Sequence, residues 1–230
     1  MAITMEKPAV SAVATTTVAS RAHGWALRSP DQIAMREKDF GIWHEYNWAQ
    51  TWDLIEVAAH GLLALGVGVG DRVAIHSEDR PEWVLLDLAT VAVRGITVGL
   101  YPTNPMAEVE YLLGDCSPKV FFAEDQEQAD KVLEVDAVTA ASVEKILYVE
   151  PRGFADYSDP RLMFWDDFLE MGRAHRAENA TAVADLMAAA QPDDIMTLVY
   201  TSGTTGPPKG AMLSNTNAEF AIDKIINETS

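Results

Sequence analysis

Residues 200–210 read Tyr200-Thr201-Ser202-Gly203-Thr204-Thr205-Gly206-Pro207-Pro208-Lys209-Gly210, a run that combines hydroxyls, glycines and one cation. A ligand with several phosphate oxygens needs many donors converging at short range. Gly203 and Gly206 let backbone N–H groups approach closely and take positive φ. Thr201, Ser202, Thr204 and Thr205 add hydroxyl donors, and Lys209 adds a compact charge suited to phosphate. Hydrogen bonds to a charged group contribute roughly 1.5–3 kcal/mol each. A few of them would hold a triphosphate with ~4–8 kcal/mol, at about millimolar to micromolar strength. Nothing in the run reads a base.

The Walker pattern needs glycine directly before the lysine and Ser or Thr directly after it. Here Pro208 precedes Lys209 and Gly210 follows it, which sets aside the mononucleotide-fold GTPases and ATPases. The competing reading is an ordinary Gly/Ser/Thr loop. The order of the string and the strand-like run before it count against that.

Other groupings carry less. His23, His44, His60, His76 and His175 are scattered with no metal-ligand spacing. His76 beside Ser77 reads as a strand end before a helix. Trp43, Trp48 and Trp52 read as core, Asp166-Asp167 as a solvated helix start, and Arg72, Arg80 and Arg94 as surface or capping groups. Cys116 is the single cysteine and reads as a small buried residue. A disulfide framework and a thiolate metal site are excluded within one chain.

Alternating elements must position the loop. A helix face at 18–26 is stopped by Ser29-Pro30. Runs at 33–36 and 42–48 flank Lys38-Asp39-Phe40-Gly41 as a hairpin. Helical spacing covers 52–63 with Gly66 as a stop, and Arg72 opens a buried strand to His76. Asp79 is the expected cap of a helix over 83–93, with Pro81 in its first turn. Strand signals follow at 96–101, 119–123, 145–149 and 195–200. Helices are expected at 106–113, 126–135, 165–176, 181–190 and 218–226. This alternation predicts an α/β fold, a mainly parallel sheet flanked by helices. Residues 150–190 read as an excursion from the core.

The chain has 230 residues, 48% apolar, and 17 basic against 35 acidic residues give a net charge of −18. Such acidity repels nucleic acid, so no nucleic-acid partner is expected. Residues 1–19 read as a flexible tail without signal-peptide features. No apolar run is long enough to span a bilayer. A cytoplasmic location is expected, and peripheral contact with a membrane is compatible with it.

Residues 200–210 resemble the signature of the AMP-forming acyl-CoA synthetase and ligase superfamily. Gly70-Asp71-Arg72-Val73-Ala74-Ile75, Arg80-Pro81-Glu82-Trp83 and Gly99-Leu100-Tyr101-Pro102-Thr103 resemble its upstream landmarks. The Tyr-Pro-Thr stretch and Pro207-Pro208-Lys209-Gly210-Ala211-Met212-Leu213 look most like the long-chain fatty acyl-CoA branch. The resemblance implies that a carboxylic acid attacks Mg-ATP to give an acyl-adenylate, which CoA converts to a thioester. It places Thr201, Ser202, Gly203, Thr204, Thr205, Gly206 and Lys209 on the phosphates and assigns Thr205 to Mg2+. Asn215 stands where many members carry a histidine near the acyl pocket, and is the substrate-pocket candidate. A turn or cap role for Asn215 is equally open. The family's adenine-binding segment, magnesium glutamate and catalytic lysine lie downstream of the signature. The expectation is therefore an incomplete N-terminal AMP-binding domain over 20–230. Its alternatives are an inactive fragment, or a ligase for aromatic, bile or other acids.

Overall fold

A computed structural model describes residues 17–201 and 206–228. Helix α1 (Val18–Arg28) opens at Thr17, whose hydroxyl accepts from the Ser20 N–H. Strands β1 (Ile33–Asp39) and β2 (Ile42–Asn47) form the expected antiparallel hairpin. Asn47 and Gln50 then close a reciprocal capping box on α2 (Trp48–Ala64). The chain continues as β3 (Arg72–His76), α3 (Pro81–Ala92), β4 (Ile96–Leu100), α4 (Met106–Cys116), β5 (Val120–Ala123) and α5 (Gln126–Leu133). It then forms β6 (Lys145–Tyr148), β7 (Leu162–Phe164), α6 (Trp165–Glu178), α7 (Ala182–Ala189), β8 (Ile195–Thr201), β9 (Lys209–Ser214) and α8 (Asn215–Glu228).

Among the described residues the main sheet runs β7-β6-β5-β3-β4-β8-β9, parallel except for the last pair. The strands β3 and β5 are buried on both faces, as their near-continuous apolar sequences require. Ile55, Leu62, Leu85, Leu86, Ile75, Phe122 and Phe168 build the core on one face, under α2, α3 and α6. Leu112, Leu113, Phe121, Val132 and Ile146 build the other, under α4 and α5. Each such side chain contributes roughly 1.5–3 kcal/mol on burial.

Three local expectations need correction. Asp79 does not cap α3: Arg80 holds the cap position without a side-chain cap bond, and pairs instead with Glu82 and Glu124. Residues 150–190 are not an excursion: β7 adds a parallel edge strand, and α6 packs on α2 with Phe168 fully buried. Trp43 is not core but 60% exposed, with the Lys38 ammonium over its ring. Arg72 is a capping group as read, donating to the Cys116 and Ser117 carbonyls at the end of α4.

Cys116 is buried, and burial pushes its thiol up to about 12. The reactive thiolate is thus scarce at neutral pH. The native protein is expected to resist a maleimide over hours and to react within minutes in denaturant. Fast native labelling, followed by mass spectrometry, would refute this burial.

Candidate functional site

Strand β3 feeds α3 on one face of the sheet, whereas its neighbour β4 feeds α4 on the other. Two adjacent strands whose connections part to opposite faces leave a crevice beyond their carboxyl ends, the usual place for a ligand in an open α/β sheet. A cleft of about 380 Å3 lies there, lined by Ser77 and Trp83 from the β3–α3 segment, Gly99 and Tyr101 from β4 and its turn, and Thr197 and Val199 from β8. Gly99 lies on the floor beside Trp83, where a Cβ would stand in ordinary contact with the indole ring at 3.4 Å.

Glu124 at the end of β5 fixes one wall. Its carboxylate accepts from the Glu78 N–H at 2.7 Å and the Ser77 hydroxyl at 3.3 Å. His76 fixes the other: its buried Nε2 lies 3.0 Å from the Tyr101 carbonyl. Burial lowers the His76 pKa to about 4, with the Lys131 charge adding to the effect. At neutral pH it is therefore a neutral imidazole that donates from Nε2 to that carbonyl.

The hairpin β8–β9 carries Thr201, Gly206 and Lys209 of the run expected to meet phosphate. Register pairs Thr201 with Lys209, Tyr200 with Gly210 and Val199 with Ala211. Paired residues share a face and alternate along the strand. Thr201 and Lys209 therefore project to the same face as Val199 and Thr197, which line the cleft. Both are exposed. Lys209 makes no side-chain hydrogen bond or ion pair with the described residues, an uncommitted cation in an acidic chain. That suits a polyphosphate. Gly206 has φ +89°, a conformation that favours glycine. Ser202, Gly203, Thr204 and Thr205 lie outside the described residues.

Sequence reasoning missed the partners of this hairpin. The Tyr200 hydroxyl donates to Asp115 Oδ2 at 2.5 Å, and Tyr111 donates to the Pro208 carbonyl at 2.9 Å. Burial first, then the Asp115 bond, raises the Tyr200 pKa, so the phenol stays protonated. A Cβ on Gly210 would meet the Tyr200 ring at 3.1 Å. The helical spacing of Tyr111 and Asp115 is visible in sequence, but nothing local says they face β8 and β9.

Asn215 is not brought to Lys209. It opens α8 at the far end of β9, where Ser214 pairs with Ile195. Six strand residues separate the two ends, roughly 20 Å. Its buried side chain donates to the Gln191 carbonyl at 3.3 Å, and Oδ1 has no partner among the described residues. A second hollow, about 500 Å3, lies between β1 and the start of α3. Its cations are committed: Arg36 to Glu45, Arg80 to Glu82, and Lys38 to the Trp43 ring. The lining of the switch-point cleft includes Glu78 and Asp79 and no cation, so positive charge for an anion there has to come from Lys209 on the neighbouring hairpin. No group of three or more metal-ligating side chains occurs among the described residues, and no described helix is long and apolar enough to cross a membrane.

A mainly parallel sheet flanked by helices, with a crevice at its switch point, defines an α/β class that takes its ligands at the carboxyl ends of the strands. The chain belongs to the family described as AMP-binding enzyme, whose pattern matches residues 23–229. It is 36% identical over 193 residues to the long-chain-fatty-acid–CoA ligase FadD15 of Mycobacterium tuberculosis, covering 84% of this chain and 30% of that protein. Against the human long-chain-fatty-acid–CoA ligase ACSBG1 the figures are 33% over 187 residues, 81% and 25%. The chain thus spans under a third of the length of these relatives. Its fold matches the Mycobacterium tuberculosis fatty acyl CoA synthetase with a TM-score of 0.67 at 21% identity, over 87% of this chain and 35% of that one. It also matches the fatty acyl-adenylate ligase of L. pneumophila, solved with acyl adenylate and pyrophosphate, at 0.66 and 17%, over 92% and 32%. The expected α/β fold with its mainly parallel sheet is what these comparisons and the topology show.

Proposed function

We propose that residues 20–230 form the N-terminal part of the AMP-binding domain of an acid–CoA ligase, and that the acid is a long-chain fatty acid. The observation that carries the reading is the Thr201–Lys209 pair, two strand positions beyond Val199 of the cleft lining, with the lysine making no ion pair among the described residues. Support for the acid comes from the relatives named long-chain-fatty-acid–CoA ligases.

In this reading Thr201, Ser202, Gly203, Thr204, Thr205, Gly206 and Lys209 bind the phosphates of ATP, and Thr205 assists Mg2+. The metal would neutralise phosphate charge. The chain's own residues orient the triphosphate and supply donors where charge gathers at the α-phosphate. The acid approaches through the cleft between Trp83 and Val199. Asn215 stays the substrate-pocket candidate of this reading, with its buried side chain bonded to the Gln191 carbonyl at the other end of the hairpin. CoA is the second substrate, and the cytoplasm is the proposed location.

The test is ATP–pyrophosphate exchange by the full-length protein with short-chain, long-chain, aromatic and bile acids, together with ATP binding. Exchange is expected to be fastest with long-chain acids. Preference for aromatic or bile acids would replace the substrate class, and ATP binding without any exchange would reduce the chain to a nucleotide-binding unit. Lys209→Ala is expected to weaken ATP binding roughly 10- to 100-fold, the loss of one charged hydrogen bond of about 1.5–3 kcal/mol. Unchanged affinity in equilibrium dialysis would remove Lys209 from the site.

A further inference from the structure

We propose that α4 sets the phosphate-binding hairpin in its working position, with Tyr111 and Asp115 as positioning residues; this rests on the reading of residues 200–210 given above. Tyr111 and Asp115 stand four residues apart on α4 and so project from one face of it. Between them they hold both strands of the hairpin at the last pairs before the loop. Asp115 accepts from Tyr200, which directly precedes Thr201. Tyr111 donates to the carbonyl of Pro208, which directly precedes Lys209.

The second contact acts on geometry more than on packing. The Pro208 carbonyl and the Lys209 nitrogen share one planar peptide unit, so fixing the oxygen fixes the direction in which Lys209 leaves the backbone. Pro207 and Pro208 already restrict φ in that arm. The Tyr200 ring lies against Gly210, where a side chain would intrude. Thr201 and Lys209 are consequently aimed before ligand arrives, which removes an ordering cost from binding. The same helix follows the Tyr101 turn that His76 holds, so α4 spans from the cleft wall to the hairpin.

The experiment compares the full-length wild-type protein with its Tyr111→Phe, Lys209→Ala and Val143→Ala variants, reading ATP affinity, melting temperature and amide exchange at Gly206, Lys209 and Gly210 within residues 206–210. Tyr111→Phe is expected to raise the ATP Kd roughly 5- to 10-fold, the equivalent of one hydrogen bond, and to speed exchange over 206–210 with little change in melting. Val143→Ala trims the core beneath α4. It is expected to lower the melting temperature and leave the Kd alone, which separates aiming from general stability. If Lys209→Ala weakens ATP while Tyr111→Phe changes neither Kd nor exchange, the phosphate-site reading stands and the positioning role is overturned. If the wild-type chain binds no ATP, the phosphate-site reading falls and exchange alone decides: faster exchange over 206–210 in Tyr111→Phe upholds the tether, and unchanged exchange overturns it.

Discussion

Replacing Gly172 by alanine is expected to destabilise the protein by about 3 kcal/mol, the range of severe overpacking. Helix propensity alone points the other way, since alanine in a helix interior gains ~1 kcal/mol over glycine. The site overrides it. A Cβ on Gly172 would stand 2.1 Å from the Val57 carbonyl oxygen and 3.0 Å from the Gly61 nitrogen. Those are backbone atoms of α2, which cannot rotate aside, so α6 would have to move away. Gly61 faces the same crossing from the other helix, where a Cβ would meet the Phe168 ring at 2.5 Å. Two glycines thus let α2 and α6 approach closely, and separating them opens space around Phe168 and Ile55. The control is Gly114→Ala on the exposed side of α4. Its Cβ would sit 3.5 Å from the Thr139 methyl, an ordinary contact, and the change is expected to stabilise by up to ~1 kcal/mol. Urea unfolding of both variants measures the contrast. Stabilisation of both variants would show that propensity, not the helix crossing, governs Gly172.

The same pair of helices shows where sequence reading stops. The helix over 165–176 was legible from its spacing, and α6 occupies Trp165–Glu178. Its partner was not, because a glycine in a helix looks like a weakness until the opposing backbone is known. The three residues of β7 are too short for a period-two pattern, so the segment read as an excursion although Met163 pairs with Leu147 in the sheet. By contrast β3, β5 and β6 announce themselves as apolar runs because both their faces are covered. At the site, composition alone made Lys209 and its hydroxyl neighbours candidates for phosphate. Strand β9 went unread because Lys209–Ser214 has mixed polarity and only one strand neighbour among the described residues. The pairing that puts Thr201 opposite Lys209, and the tyrosine contacts from α4, are tertiary facts with no local signal.

The acid limb of stability should expose two buried groups that oppose each other. His76 is fully buried, and its pKa falls from an ordinary 6.5 to about 4. Between those values the unfolded chain binds a proton that the folded one refuses, so stability declines as pH falls through this window, by about 3 kcal/mol in full. Lys131, which bonds the Pro102 carbonyl nearby, deepens the effect, and Glu127 relieves part of it. Asp87 on α3 behaves in the opposite sense. Burial raises its carboxyl from 3.8 to about 6. The folded state therefore binds the extra proton, and stability rises as pH falls from 6 toward 3.8. Asp87 keeps some solvent contact, so its contribution is set lower, at about 2 kcal/mol. In the wild type the two slopes largely cancel between pH 6 and pH 4. Single variants should separate them in urea titrations at pH 7 and pH 4. The stability advantage of wild type over His76→Gln is expected to shrink toward acid. Relative to Asp87→Asn, the wild type is expected to gain. If both differences move in the same direction, one of the two groups is not buried as described, and the cleft wall that His76 anchors through Tyr101 must be redrawn.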